Sequence, residues 1–412
     1  MADDTTLYRF TNCRILRQGK LLDTDEALWI RGGRVQDPRR LFWDEKREAD
    51  VDIDCGGLIA SPGFIDVQIN GAAGYDFTSG SNTKEALQSV ARLIVKHGVT
   101  AFCPTIVSSL PSVYHKVLPQ IVQYESQFGE ARMLGAHLEG PFISKTKCGA
   151  HSEHAIRDGT ESPITYQEIL SCYGSLDRVR IITLAPEVCN KHEIVHRLST
   201  REGKNKIVVS LGHSEAGLNL ANKTVEQGAR FITHLFNAML PFHHRDPGIV
   251  GLLTRDKDKN SKDCIVYYGI ISDGVHTEPA ALRIAHRACP KGIVLVTDAI
   301  AAMGLGNGRH RLGNQEIIVE DSCRASVVGQ TTLAGSVTTM DMCVRHFQEA
   351  TECSIVETLE AATLHPAQLL GEESDIGTLN FGSRADFVLL DSSLEVQRTY
   401  IGGQCVYDRE SK

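Results

Sequence analysis

The 412-residue chain has no apolar run long enough to cross a membrane, and no basic-then-apolar segment opens it. These absences argue against a spanning helix and a secretory signal peptide. Positive charge is in deficit: 43 Lys and Arg face 51 Asp and Glu, a formal charge of -8 at pH 7. A nucleic-acid binder would usually present a basic face, so that class is set aside. No two of the 12 cysteines form a Cys-x-x-Cys pair. They read as reduced thiols, mostly buried, and the expected compartment is the cytosol with no membrane partner. No Gly-x-Gly-x-x-Gly follows the first apolar run, which argues against a dinucleotide fold.

What is present is a set of five short motifs, each closing a β-like apolar run. They are His-Leu-Glu-Gly-Pro (137–141), Leu-Gly-His-Ser (211–214), Thr-His-Leu-Phe-Asn (233–237), Asp-Gly-Val-His (273–276) and Val-Thr-Asp-Ala (296–299). In each, a Glu, His or Asp replaces aliphatic residues at the strand's end. Polar residues gathered at the C-terminal ends of successive strands are how a (β/α)8 barrel builds an active site.

Eight apolar runs begin near Leu58, Val99, Met133, Val179, Ile207, Arg230, Ile265 and Ile293, with helical patterns between most of them. Residues 83–97 are amphipathic and stop at Gly98, and 214–228 read as a helix with Ser214 as N-cap. The alternation predicts an α/β fold, a TIM-like (β/α)8 barrel over residues 58–374. Short strands recur before it (1–57) and after it (375–412). Both ends are expected to form one small β-sandwich. Gly304-Leu-Gly-Asn-Gly308 reads as a loop near the site.

Glu139, His213 and His234 end the third, fifth and sixth runs and so converge on one rim. A lone His is more often a buried structural residue. Three ligand-type residues, all at strand ends before turns, favour an open, hydrolytic metal site. His137 competes with Glu139, because strand alternation puts both on one face; Glu139 lies nearer the rim. Asp298 closes a wholly apolar strand, where an unpartnered carboxylate would be costly. Beside a metal it can take a proton from water; otherwise it caps the next turn. His276, after Asp273-Gly274-Val275, is placed to donate to a substrate oxygen. Arg245, in the Pro-bounded loop 241–247, suits an anionic substrate group. Ala150-His151 read similarly, and Asn237-Ala238 and Thr332-Leu333-Ala334-Gly335 read as small-residue turns presenting backbone amides.

Together with Pro62-Gly-Phe-Ile-Asp66 and Leu-Ala-Gly-Ser336, this set resembles the N-acetylglucosamine-6-phosphate deacetylase family of the amidohydrolase superfamily, from about Leu58 to the C-terminal Gly-Ser-Arg-Ala-Asp-Phe-Val segment. The resemblance implies hydrolysis of the N-acetyl group of N-acetyl-D-glucosamine 6-phosphate to glucosamine 6-phosphate and acetate. It implies Glu139, His213 and His234 as metal ligands, Asp298 as general base and acid, and His276 as the group polarising the acetyl carbonyl. It implies sugar-phosphate contacts from Ala150, His151, Asn237, Ala238, Arg245, the Asp273–His276 turn and Thr332, Leu333 and Ala334. It further implies a homodimer with Arg245 reaching across the interface. Many superfamily members end strand one with His-x-His, which holds a second metal. Here the segment is Asp66-Val-Gln68-Ile-Asn70. An amide is a poor substitute for imidazole at a transition metal, so one divalent ion is expected and Gln68 becomes a substrate contact. Zinc is the expected metal; iron, cobalt and manganese are compatible with the same residues. Competing readings are an amidohydrolase of cyclic amides, disfavoured by the missing second site, and a non-catalytic binding protein on the same barrel.

Overall fold

The computed structural model describes residues 5–411 except 81, 161, 190–192, 202–205, 256–264, 313–314, 321–323 and 329–332. Its centre is a parallel sheet of eight strands, numbered here in barrel order. They are β1 (Phe64–Ile69), β2 (Val99–Val107), β3 (Ala136–Glu139), β4 (Val179–Leu184), β5 (Val208–Leu211), β6 (Ala229–Ile232), β7 (Tyr267–Ile271) and β8 (Ile293–Val296). Each strand pairs with the next from β1 to β8. The β8–β1 seam has no ladder among the described residues. It is closed by the Asp298 N–H donating to the Gln68 carbonyl (2.9 Å) and by Thr297 Oγ1 donating to Asp66 Oδ2 (2.6 Å). This is a TIM-like barrel, as the strand–helix alternation requires.

The outer helices are α1 (Thr83–Ile94), α2 (Pro111–Gln123), α3 (Tyr166–Tyr173), α4 (Glu193–Ser199), α5 (Leu218–Glu226), α6 (Pro279–Ala288), α7 (Met340–Thr351), α8 (Ile355–Glu360) and α9 (Leu364–Leu370). Helix α1 buries Ala86, Leu87, Val90, Ala91 and Ile94, the stripe its spacing dictates, and continues as a 3-10 turn to Gly98 at φ +77°. That left-handed stop suits a residue without Cβ. The expected N-cap at Ser214 is corrected. Ser214 pairs with Met239 across the strand ends, its Oγ donates to Glu187 Oε2 (2.6 Å), and α5 begins only after Gly217. The Leu218 N–H is instead taken by Asp246 Oδ1 (2.8 Å) from the loop after β6.

Two sheets are built from the chain ends. One runs Arg34–Val35, Leu28–Arg31, Tyr8–Thr11, Val51–Asp54. The other runs Gln404–Asp408, Val396–Ile401, Phe387–Leu390, Ile59–Pro62, Arg14–Arg17, Lys20–Leu21. Phe10 packs edge-on against Phe387 (5.1 Å) and Tyr400 (5.3 Å), closing a shared core with Ile15, Leu28, Ile30 and Leu389. The apolar run near Leu58 therefore divides. Ile59–Pro62 joins the terminal sheet, and β1 starts after the Pro62-Gly63 break.

After β8 the chain forms an antiparallel four-stranded sheet, Gly308–Leu312, Gln315–Glu320, Arg324–Val327 and Leu333–Ser336. The reading of 332–335 as a turn is corrected for Leu333 to Gly335, which lie in the last of these strands; Thr332 lies outside the described residues. No helix among the described residues is long and apolar enough to cross a membrane. Among the described residues no two cysteines are joined in a disulfide.

Candidate active site

Glu139 ends β3, and His213 and His234 stand two residues past the ends of β5 and β6. Both histidines have left-handed backbone, φ +48° and +30°. Such a conformation costs a non-glycine residue on the order of 1 kcal/mol and persists where the surroundings hold it. Here it turns both rings inward. Glu139 Oε1 lies 3.1 Å from His213 Nε2 and 3.0 Å from His234 Nε2, and the two Nε2 atoms are 2.9 Å apart. All three side chains are buried.

His213 Nδ1 donates to the Lys147 carbonyl at 2.8 Å, which leaves its Nε2 as a lone pair facing the carboxylate. Three electron-pair donors thus point at one spot, a set suited to a divalent cation. Bonds of 2.0–2.1 Å in tetrahedral geometry need ligand atoms roughly 3.3 Å apart, so the triad fits an ion after a small spreading. Electrostatics agree. Burial would raise the Glu139 pKa, but the two imidazoles outweigh it and hold the carboxyl well below its usual range. Burial likewise opposes charge on His234, yet Glu139 draws its pKa up to about 9. The pocket favours positive charge.

Asp298, two residues past β8, also has left-handed backbone at φ +47°. Its Oδ1 accepts from Asn70 Nδ2 (2.8 Å) and Gln68 Nε2 (3.2 Å). Gln68 Nε2 also donates to Glu139 Oε1 (3.0 Å), so this amide ties the two carboxylates together. Burial, and then the charge of Glu139, raise the Asp298 pKa to about 6. Gln68 is thus placed between carboxylates at the head of β1. Asn70, which the sequence reading mentions only as part of the missing His-x-His, is the closest partner of Asp298.

His276 sits at the end of a turn built by Asp273. Oδ1 of Asp273 accepts the backbone N–H groups of Val275 (2.9 Å) and His276 (2.7 Å), and Oδ2 is 2.6 Å from His276 Nδ1. Burial lowers the imidazole pKa, but Asp273 more than offsets it and the net shift is upward. Nδ1 is committed to Asp273, so Nε2 remains for a ligand.

His137, the rival of Glu139, is spent inside the barrel: Nδ1 meets the Val67 carbonyl (2.9 Å) and Nε2 meets Thr183 Oγ1 (2.7 Å). Burial pushes its pKa down to about 4. His151 stacks near His213, with ring centroids 4.4 Å apart, and its Nδ1 meets Ser108 Oγ at 2.7 Å. Burial, followed by His213, lowers its pKa to about 3, so it stands neutral. Ala150 is exposed in the preceding turn. Asn237 and Ala238 form the turn after His234, and the Ala238 carbonyl accepts from Ser214 N–H (3.1 Å), joining the ends of β5 and β6. The Leu333–Ser336 strand reaches the site through the Ile300 N–H, which donates to the Ser336 carbonyl (2.9 Å) beside Asp298. Arg245 is exposed and its guanidinium makes no ion pair among the described residues. It is not brought to the cluster within its own chain.

Two further polar residues stand at the site without a role read for them in the sequence. Asp66 is buried between β1 and β8, where burial lifts its pKa to about 7 and Thr297 Oγ1 satisfies it. Ser108 backs His151. Asp66 lies in the Pro62-Gly-Phe-Ile-Asp66 motif, but its contact with Thr297 does not show there; Ser108, just past the end of β2, carries no signal.

The geometry has clear relatives. The sequence model of the amidohydrolase family matches residues 59–406. An N-acetylglucosamine-6-phosphate deacetylase of Homo sapiens is 58% identical over 406 residues, covering 98% of this chain and 97% of that protein. A solved enzyme of the same description from Thermotoga maritima superposes with a TM-score of 0.78 at 31% identity, covering 97% of this chain and 99% of that one. A Mycobacterium smegmatis deacetylase solved with N-acetyl-D-glucosamine-6-phosphate gives a TM-score of 0.80 at 28% identity, covering 98% and 100%. With an inward-facing His/His/Glu triad on a parallel barrel and matches of this extent, the chain belongs to the amidohydrolase family, among its N-acetylglucosamine-6-phosphate deacetylases.

Proposed function

We propose that this enzyme hydrolyses the N-acetyl group of N-acetyl-D-glucosamine 6-phosphate, giving D-glucosamine 6-phosphate and acetate in amino-sugar metabolism. The observation that carries the reading is the convergence of Glu139, His213 and His234 within 3.1 Å of one another, with Asp298 tied to Glu139 through Gln68. The triad would hold one divalent ion, zinc by its donor set. When bound, such an ion supplies Lewis acidity toward a carbonyl and makes a neighbouring water easier to deprotonate.

The remaining work falls to the chain's own groups. Asp298 accepts the proton of the attacking water at a carboxylate that Asn70 and Gln68 hold in place. Nε2 of His276 donates to the acetyl oxygen as negative charge builds there. Asp298 then hands the proton to the departing amine. His151, neutral through burial, offers a hydrogen bond without adding charge beside the cation site. The turn at Asn237-Ala238, the Asp273-Gly274-Val275 turn and the Thr332–Ala334 segment offer backbone amides and carbonyls to the sugar. Arg245 is free to pair with the 6-phosphate of a neighbouring subunit's substrate, which makes the functional unit a homodimer.

The test is acetate release from a panel of N-acetylhexosamines of gluco, galacto and manno configuration, with and without 6-phosphate. The expected result is turnover of the phosphorylated gluco sugar and a large loss when phosphate is removed. Equal turnover of the unphosphorylated sugars, or turnover only of a cyclic amide, overturns the assignment.

A further inference from the structure

A second group of ligand-type side chains lies on the outer wall, away from the barrel rim. His286 projects from α6, Cys353 lies just before the N-cap of α8, and Glu357 stands in the first turn of α8. Their ligand atoms all fall within 4.8 Å of one another. We propose that His286, Cys353 and Glu357 form a separate, peripheral site for a zinc-class cation.

Three features support it. The first is that His286 Nε2 is buried yet has no hydrogen-bond partner, and it stands 3.7 Å from Glu357 Oε1. A buried ring nitrogen without a partner is costly, and this one faces the other two ligands. Its imidazole packs edge-on to Phe347 of α7, with centroids 5.7 Å apart, which fixes the ring plane. Burial lowers its pKa, so the lone pair is available at neutral pH.

The second is the division of labour within Glu357. Its Oε2 accepts from Ser354 N–H (3.1 Å) and Ser354 Oγ (2.7 Å), closing a capping box. The carboxylate is thereby anchored, and Oε1 is left turned toward His286. The third is placement. Cys353 stands one residue before the N-cap Ser354, and its Sγ meets Thr358 Oγ1 at 3.2 Å, which holds the thiol at the start of α8 beside Glu357. Tetrahedral bonds of about 2.0–2.3 Å require ligand atoms roughly 3.3–3.7 Å apart, which small rotations of Cys353 and Glu357 reach.

A thiolate, an imidazole and a carboxylate select zinc-class ions over magnesium or calcium. Three protein ligands leave a fourth position for water. The thiol binds as thiolate, its proton passing to solvent. The ion would pin α6 to α8 across α7.

The rim triad contains no sulfur, and this separates the two sites spectroscopically. Enzyme exchanged into excess Co2+ is expected to show a thiolate-to-cobalt charge-transfer band in the near ultraviolet. Cys353→Ser should abolish the band while leaving turnover with the rim ion intact; His286→Asn should weaken it. In a second measurement, Zn2+ should protect Cys353 from iodoacetamide, read by peptide mass. Absence of the band, its persistence in Cys353→Ser, or alkylation of Cys353 at the same rate with and without Zn2+ overturns the proposal.

Discussion

The rim triad and the outer-wall triad use similar atoms in opposite settings. At the rim, side-chain exposures are 5% for each His and 3% for Glu139, and every residue stands at a strand end. On the outer wall His286 is 13% exposed and Glu357 47%; these two belong to helices, and Cys353 stands just before a helix cap. The rim donors already touch, held by left-handed backbones and by Lys147 and Gln68. The outer donors stand farther apart; Ser354 anchors Glu357, and Thr358 Oγ1 meets the Cys353 thiol at 3.2 Å. Strand ends on a closed barrel hold the rim ligands in contact with one another; on the outer wall a helix end and a helix start leave theirs apart.

The comparison breaks most visibly at Asp298. Asp298→Asn keeps shape and removes the proton carrier, so kcat is expected to fall roughly a hundredfold or more. Metal content, measured on the same samples by elemental analysis, should stay as in the parent. Near-normal turnover would remove Asp298 from the chemistry.

Arg245→Ala should cost the phosphorylated substrate roughly ten- to a hundredfold in kcat/KM, the worth of a lost charge-assisted pair, and leave an unphosphorylated sugar nearly unchanged. Arg245→Lys should rescue only in part. Mixing Arg245→Ala chains with Asp298→Asn chains should restore activity after subunit exchange, because one mixed site carries both groups. Exchange confirmed by mass without any activity would place Arg245 outside the partner's site.

Asp273→Asn sharpens the role of orientation at the rim. His276 remains, but its Nδ1 partner is weakened and its upward pKa shift is lost. A kcat loss of about tenfold is expected, smaller than at Asp298, since the donor is misplaced and not removed. Steady-state kinetics across pH would detect it; an unchanged profile would make the pair merely structural.

The smallest effect belongs to the outer wall, where substitution moves stability and not rate. Burial opposes charge on Asp341 at the start of α7, but His97 at 3.0 Å outweighs it and its pKa falls to about 2. A carboxyl depressed on folding stabilises above its unfolded pKa, and that contribution fades as pH falls toward 2. Asp341→Asn should therefore cost about 1–2 kcal/mol at pH 7, with kcat unchanged. Urea titrations of both proteins should converge as the pH drops from about 4 toward the folded pKa. A constant gap would assign the loss to packing.

The catalytic ends of the strands were legible because each interrupts an aliphatic run with one charged or imidazole group. Glu139, His213, His234, Asp298 and His276 all announce themselves that way. Glu139 was preferred to His137 for its place nearer the rim before Gly-Pro, although alternation gives both the same face; what occupies His137, the Val67 carbonyl and Thr183 Oγ1, showed only in the packing. The β8–β1 seam was invisible: Asp66 and Thr297 carry no pattern that reveals their contact. The four-stranded sheet after β8 was missed because its strands are short and alternate weakly. Ser214 misled because a good capping residue was drawn off by Glu187, while Asp246, far along the chain, supplied the cap.

The strand Ile59–Pro62 lies between Arg14–Arg17 and Phe387–Leu390, then runs through Gly63 into β1, which carries Asp66 and Gln68. Its second neighbour lies more than 300 residues farther along the chain. A growing chain can wind most of its barrel early, but the lead-in to β1 stays half-paired until residues 387–390 have been delivered. The strand that leads to Gln68 is therefore secured by a pairing far away along the chain, and loosening Phe387–Leu390 would free the first stave of the barrel without touching any residue of the site.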